Sequence, residues 1–159
     1  EGSKPEEDAT SVQLAKPATE ATRAANAAIL EQLPFEDQTA FELARRGFIA
    51  PAPLEPVTRL AGNVVWDPKR YAFIEEGSSA PDTVNPSLWR QAQLLNISGL
   101  FEVTDGVYQV RNQDGTNLTV IEGERGITIV DPLLSTETAR AALTTPSICG
   151  TARRSRLAA

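Results

Sequence analysis

Three short apolar runs in the last third of the chain constrain its fold more than any other feature. Val103, Val107, Tyr108 and Val110 form the first, Leu118, Val120 and Ile121 the second, and Ile127, Ile129 and Val130 the third. They are joined by Asp105-Gly106, Asp114-Gly115 and Arg125-Gly126, dipeptides that readily take the backbone angles of tight turns. β-Branched residues at near-alternate positions suit a sheet with one buried face. The pattern predicts an antiparallel meander, with one face and at least one sheet edge left without cover. The last run ends in Asp131-Pro132, and Ser135 is placed to cap a helix carrying residues 138–143.

Upstream the spacing changes. Residues 1–16 are polar and acidic and read as a flexible lead. Pro17 opens a predicted helix in which Ala21, Ala24, Ala25, Ala28, Ile29 and Leu33 fall at helical spacing, ending before Pro34. A second helix is predicted over 37–46, with a stripe of Ala40, Phe41, Leu43 and Ala44 and Gly47 as its C-terminal cap. These make a helical arm, 17–50. Pro51, Pro53 and Pro56 then enforce an extended connector over 51–62, since each fixes its own angle and restricts its predecessor. Beyond it, 63–143 reads as the start of a second unit. Strands are expected at 63–66 and 71–75 around Asp67-Pro68, a loop at 77–86, and a helix over 87–95 with Leu88, Trp89, Ala92 and Leu95 on one side.

Composition excludes several functions. A formal charge of -6 argues against nucleic acid, which needs clustered Lys and Arg facing phosphates. No apolar run approaches the roughly 18 residues of a membrane span. A single cysteine, Cys149, excludes an internal disulfide. The chain starts at Glu1 and has no methionine, which reads as a trimmed product from which any export signal has been removed. The sequons at Asn96 and Asn117 read as chance. Above all there is no histidine in 159 residues, so neither an imidazole base nor an imidazole-built metal site can be assembled. Ser78-Ser79 therefore lacks a base to activate it, and the acid pairs Glu75-Glu76 and Glu122 with Glu124 read as solvated.

Several separated segments nevertheless carry a resemblance. Phe48 to Pro56, Val64 to Pro68, and the stretch from Trp89-Arg90-Gln91 through GLFEVTDGVYQVRNQDGTNLTVIEGERGITIVDPLLSTETARAAL match in order. Together they resemble the opening of the metallo-β-lactamase fold in the alkyl sulfatase family, over roughly residues 17–143. The resemblance implies an α+β class: a helical arm followed by the first antiparallel strands of an αβ/βα sandwich, incomplete here. It also implies a periplasmic or secreted parent that hydrolyses alkyl sulfate esters of the dodecyl sulfate type to alcohol and sulfate. Such a parent binds two zinc ions through a His-x-His-x-Asp-His motif and further ligands. That motif does not occur in this sequence, so no zinc is expected on this chain, and no catalytic, cofactor-binding or metal-binding residue is assigned. Asp131, Asn117 and Thr119 match family positions, but each reads as structural: Asp131 as a strand-ending turn residue, the others as turn and strand residues.

Residues 144–159 depart from the family pattern. Back-translated with GC-rich codons and read two bases later, 146–157 spells Leu-Tyr-Leu-Arg-His-Arg-Ala-Pro-Val-Ala-Ala, the continuation the family pattern calls for. A frameshift near 143–146 accounts for this. The chain alone is thus expected to be an inactive part of an alkyl sulfatase. The alternative is a non-catalytic interaction or dimerisation module, whose helical arm embraces a second copy.

Overall fold

The computed structural model describes residues 16–144. It is α+β, with four α-helices, a five-stranded antiparallel sheet in the order β1-β4-β5-β6-β7, and a two-stranded sheet, β2-β3, among the described residues.

The first helix, α1 (Glu20–Gln32), starts three residues after Pro17, because the Thr19 hydroxyl and not the proline sets its start: Thr19 Oγ1 accepts from the Thr22 N–H at 3.1 Å. No residue of α1 is buried, so its alanine stripe is a narrow contact surface and not a core face. One tie to the rest is Asn26 Nδ2 donating to the Asp82 carbonyl at 2.9 Å.

Helix α2 (Thr39–Arg45) is shorter than its predicted span because Asp37 stays outside it, accepting from the Thr39 N–H. Hydrogen bonds from Thr39, helped by nearby Arg90, hold the Asp37 carboxyl below the usual carboxylate range. Phe41 is the buried residue of α2, with the Arg90 guanidinium 4.9 Å above its ring. Gly47 follows with a φ of +72°, and its carbonyl accepts from the Glu102 N–H at 2.7 Å. That contact sets β1 (Phe48–Ala50) beside β4 (Gly99–Thr104).

The connector holds β2 (Val57–Thr58), paired antiparallel with β3 (Val64–Trp66). The strand expected at 71–75 is absent. Asp67 caps a 3-10 helix, Pro68–Tyr71, and the chain turns again as the Ile74 N–H bonds the Tyr71 carbonyl. Carbonyls that a strand would offer to a neighbour are taken instead by side chains of α3 (Pro86–Leu95): Gln93 Nε2 donates to Glu75 and Ser78, and Asn96, the helix's C-cap, to Ile74. This also corrects the buried side of α3. Pro86, Trp89 and Gln93 are buried, while Leu88 and Leu95 face outward.

β4, β5 (Val107–Arg111), β6 (Leu118–Gly123) and β7 (Gly126–Val130) form the meander. The first apolar run divides between β4 and β5 at Asp105-Gly106, and the Asp114-Gly115 joint is a six-residue connection, 112–117, not a two-residue turn. Successive residues of a strand face opposite sides, and each side carries its own core. Leu100, Val110, Leu118 and Val120 pack with Leu133 and with Ala142 of α4 (Thr136–Leu143). On the other side Phe101 is fully buried, edge-on to Phe48 and 4.3 Å under the Arg111 guanidinium. Arg111 also donates to the Ala44 carbonyl, tying the sheet to α2, and burial lowers its pKa from the ordinary value. All five residues of β7 are exposed.

Candidate functional site

The most constrained polar assembly lies where the connection 112–117 meets the segment between β7 and α4. Three non-glycine residues there have positive φ: Asn112 (57°), Asp131 (53°) and Leu133 (71°). Each costs backbone energy that surrounding contacts must offset. Asn112 Nδ2 donates to Asn96 Oδ1 at 3.2 Å, and Asp114 ties down the residues that follow the other two. Asp114 is 6% exposed, and its Oδ1 accepts from the Thr116 N–H (3.0 Å) and hydroxyl (3.3 Å). Its Oδ2 accepts from the Leu134 N–H and from Thr138 Oγ1, both at 2.8 Å. Thr138 in turn closes a reciprocal cap with Ser135 at the start of α4. The carboxylate thus joins two connections and a helix terminus.

The three family-matched residues separate on this scaffold. Asp131 reaches the assembly, its Oδ1 accepting from the Thr116 hydroxyl at 3.3 Å. Asn117 lines a cavity of about 310 Å³ with Trp66, Tyr71, Leu95 and Asp114. Thr119 sits within β6, opposite Val130, and its hydroxyl accepts from Gln109 Nε2 of β5. The structure therefore brings Asp131 to Thr116 and Asp114, and leaves Thr119 in the sheet ladder. Asp114 and Thr138 are the residues that sequence reasoning missed, Asp114 because Asp-Gly signals a turn whatever else its carboxylate does. A Ser135-Thr138 spacing ahead of an apolar helix was the available signal for the second.

A larger cavity, about 520 Å³, lies between α1, α2, α3 and the loop 77–82, with Arg23, Leu30, Phe41, Trp89 and Arg90 among its lining. Ser78 faces it but is fully engaged: its hydroxyl donates to the Glu75 carbonyl and accepts from Trp89 Nε1 and Gln93 Nε2. Glu76 is paired with Arg45.

Among the described residues no three His, Cys, Asp or Glu side chains converge as metal ligands, and the oxygens of Asp114 already accept from the Thr116 and Leu134 N–H groups and from the Thr138 hydroxyl, with the Thr116 hydroxyl shared between Asp114 and Asp131. An open catalytic zinc site takes three protein ligands, usually with imidazole among them. These residues do not fit a zinc pair. What the assembly does is orient: it fixes how the chain leaves β7 and enters α4.

The fold is similar to part of a solved alkylsulfatase structure. The structure superposes on the stereoselective inverting sec-alkylsulfatase Pisa1 from a Pseudomonas species, with a TM-score of 0.73 and 53% identity, over 80% of this chain and 20% of that one. The homologues of this chain are alkylsulfatases. A linear primary-alkylsulfatase from a Pseudomonas species is 66% identical over 131 residues, which are 82% of this chain and 19% of that protein. An (R)-specific secondary-alkylsulfatase, also from Pseudomonas, is 52% identical over 128 residues, 80% of this chain and 19% of its own length. The yeast Saccharomyces cerevisiae alkyl/aryl-sulfatase BDS1 is 46% identical over 134 residues, 84% and 21% respectively. The chain thus spans about a fifth of the length of these relatives. No family model matches it.

Proposed function

We propose that this chain is scaffold belonging to a sulfate-ester hydrolase that cleaves alkyl sulfates to alcohol and sulfate, and that the chain alone does not catalyse the reaction. The 66% identity to a linear primary-alkylsulfatase over 131 residues carries the first half of this reading. The donor inventory supports the second. Ester cleavage needs an activated nucleophile, a group to stabilise charge on the sulfate and a means to protonate the leaving alkoxide. Ser78 donates to a backbone carbonyl and not to a base, Asp114 is engaged by Thr116, Leu134 and Thr138, and the sequence has no histidine. In this reading the parent is a zinc enzyme of the metallo-β-lactamase kind acting in the periplasm or outside the cell. Its zinc ligands come from residues other than those described here, and Asp114 and Asp131 shape the mouth of its sheet.

The test has two arms. The 159-residue chain, supplied with zinc and dodecyl sulfate, is expected to release no inorganic sulfate above background. Resequencing the codons for 139–159 and the bases beyond is expected to open, after a one-base correction, a frame running into His-x-His-x-Asp-His, whose product hydrolyses dodecyl sulfate. Turnover by the 159-residue chain would overturn the scaffold reading; a corrected product inert toward alkyl sulfates would overturn the sulfatase reading.

A further inference from the structure

The contacts on Asp114 restrain a chemically reactive dipeptide. In an Asp-Gly sequence no side chain shields the nitrogen that follows the aspartate, and that nitrogen can attack the aspartate's own carboxyl carbon. The glycine nitrogen bonds to Cγ and gives up its proton, and one carboxyl oxygen leaves as water, taking that proton and a second from solvent. Water then reopens the cyclic imide. Addition at the main-chain carbonyl leaves isoaspartate, with the backbone routed through the former side chain.

Two such dipeptides occur in the sequence, Asp105-Gly106 and Asp114-Gly115. Asp105 is exposed at the hairpin between β4 and β5. Asp114 is 6% exposed and is held from three directions: Oδ1 by Thr116 in its own connection, Oδ2 by the Leu134 N–H after β7 and by the Thr138 hydroxyl of α4, each of the last two at 2.8 Å. Imide formation requires Cγ to turn toward the Gly115 nitrogen and pyramidalise, and one oxygen to depart. Neither motion is open to the carboxylate while both oxygens keep donors, two of which lie 20 and 24 residues away in sequence. Packing also favours glycine at 115, since a Cβ there would sit 3.1 Å from Leu134 Cδ1, closer than an ordinary contact. The arrangement that draws Leu134 to Asp114 thus calls for the glycine that makes the dipeptide reactive.

From this coincidence we infer that Asp114-Gly115 is a latent isomerisation site, closed by the clamp of Thr116, Leu134 and Thr138 and opened by local release of the segment between β7 and α4. Conversion is one-way for the fold. The added backbone methylene and the displaced carboxylate cannot rebuild the bonds to Leu134 and Thr138, so each event removes the joint between the connection 112–117 and α4. The site depends on contacts made within the chain and is independent of the sulfatase reading.

The test ages the full 159-residue chain at neutral pH, in buffer and in urea, and follows isoaspartate by chromatography and by labelling with isoaspartyl methyltransferase. Trypsin isolates Asp114 in the peptide 112–125 and Asp105 in the peptide 91–111, each the only aspartate of its peptide. In urea the two peptides should convert at similar rates. In buffer, conversion at Asp114 should be at least about tenfold slower than in urea, the equivalent of one buried hydrogen bond. Thr138→Val removes that bond and should speed conversion at Asp114 in buffer about tenfold, whereas Thr138→Ser, which keeps the hydroxyl, should not. Phe101→Leu weakens the other side of the sheet and leaves the clamp intact; it should not change the rate, because opening is local and does not wait for global unfolding. Equal rates at Asp114 in buffer and urea, no acceleration in Thr138→Val, or equal acceleration in Phe101→Leu and Thr138→Val would each overturn the inference. The comparison of buffer with urea decides the matter even where a variant fails to fold.

Discussion

Asp114 Oδ2 accepts a buried 2.8 Å hydrogen bond from Thr138 Oγ1, and this contact joins residues 24 apart in sequence at the point where α4 begins. Thr138→Val keeps the shape and removes the donor, leaving a buried carboxylate one bond short. The expected loss is about 1–3 kcal/mol, read as a lower urea midpoint with unchanged slope. Asp114→Ala strands the Leu134 N–H as well and should cost more than Thr138→Val.

Phe101 lies at zero exposure between Phe48 and the Arg111 guanidinium. Phe101→Ala should therefore destabilise by roughly 3–5 kcal/mol, in the range of large cavity-forming truncations. Phe101→Leu should cost clearly less. Equal losses for the two variants in chemical denaturation would mean that ring contacts, not filled volume, hold this side of the sheet.

Gly47 and Gly62 both have positive φ, but only Gly47 is crowded: a Cβ there would sit 1.9 Å from the Glu102 carbonyl oxygen, whereas at Gly62 nothing lies within 4 Å. Gly62→Ala should cost about 1–2 kcal/mol from the backbone alone. Gly47→Ala should exceed that by the displacement of β4 from β1. Comparing the two midpoints separates strain from contact.

Asp37 gives the expected pH dependence. Its folded pKa is lowered, first by hydrogen bonding from Thr39, so the unfolded chain binds the proton more tightly. The stability it contributes is present above the ordinary carboxylate pKa, about 3.9, and is lost as pH falls through the lowered value. Asp37→Asn should lower the urea midpoint near neutral pH and match the parent in strong acid. A difference that persists in acid would assign the effect to helix propensity.

The meander was legible because its information is local: Asp105-Gly106 and Arg125-Gly126 mark hairpins wherever they stand between β-branched runs. The cap at Ser135 was legible for the same reason. β1 was not, because three residues show no period and its partner Phe101 lies far along the chain. Residues 71–75 look like a strand but find Gln93 and Asn96 where a neighbouring strand would be, a side-chain capture that no window of sequence displays. At the candidate site, Asp131 was visible as the end of a strand, while the role of Asp114 depends on partners 20 and 24 residues away. The alkylsulfatase kinship was legible from the order of several motifs, and the homologues agree with it. The lead expected to be flexible and the tail expected to follow a frameshift lie, apart from residues 16 and 144, outside the described residues.

The order β4-β5-β6-β7 has a kinetic consequence. Each of these strands pairs with the one that follows it in sequence, so the meander has low contact order and its hairpins close on the microsecond scale as soon as both arms exist. Only β1, waiting on β4 some fifty residues later, must bridge a long loop. On a ribosome delivering about 5–20 residues each second, every hairpin of the meander has ample time to form before the next strand emerges. The Phe48–Phe101 contact is thus one that joins parts of the chain made early and late, and it can form only after β4 has emerged.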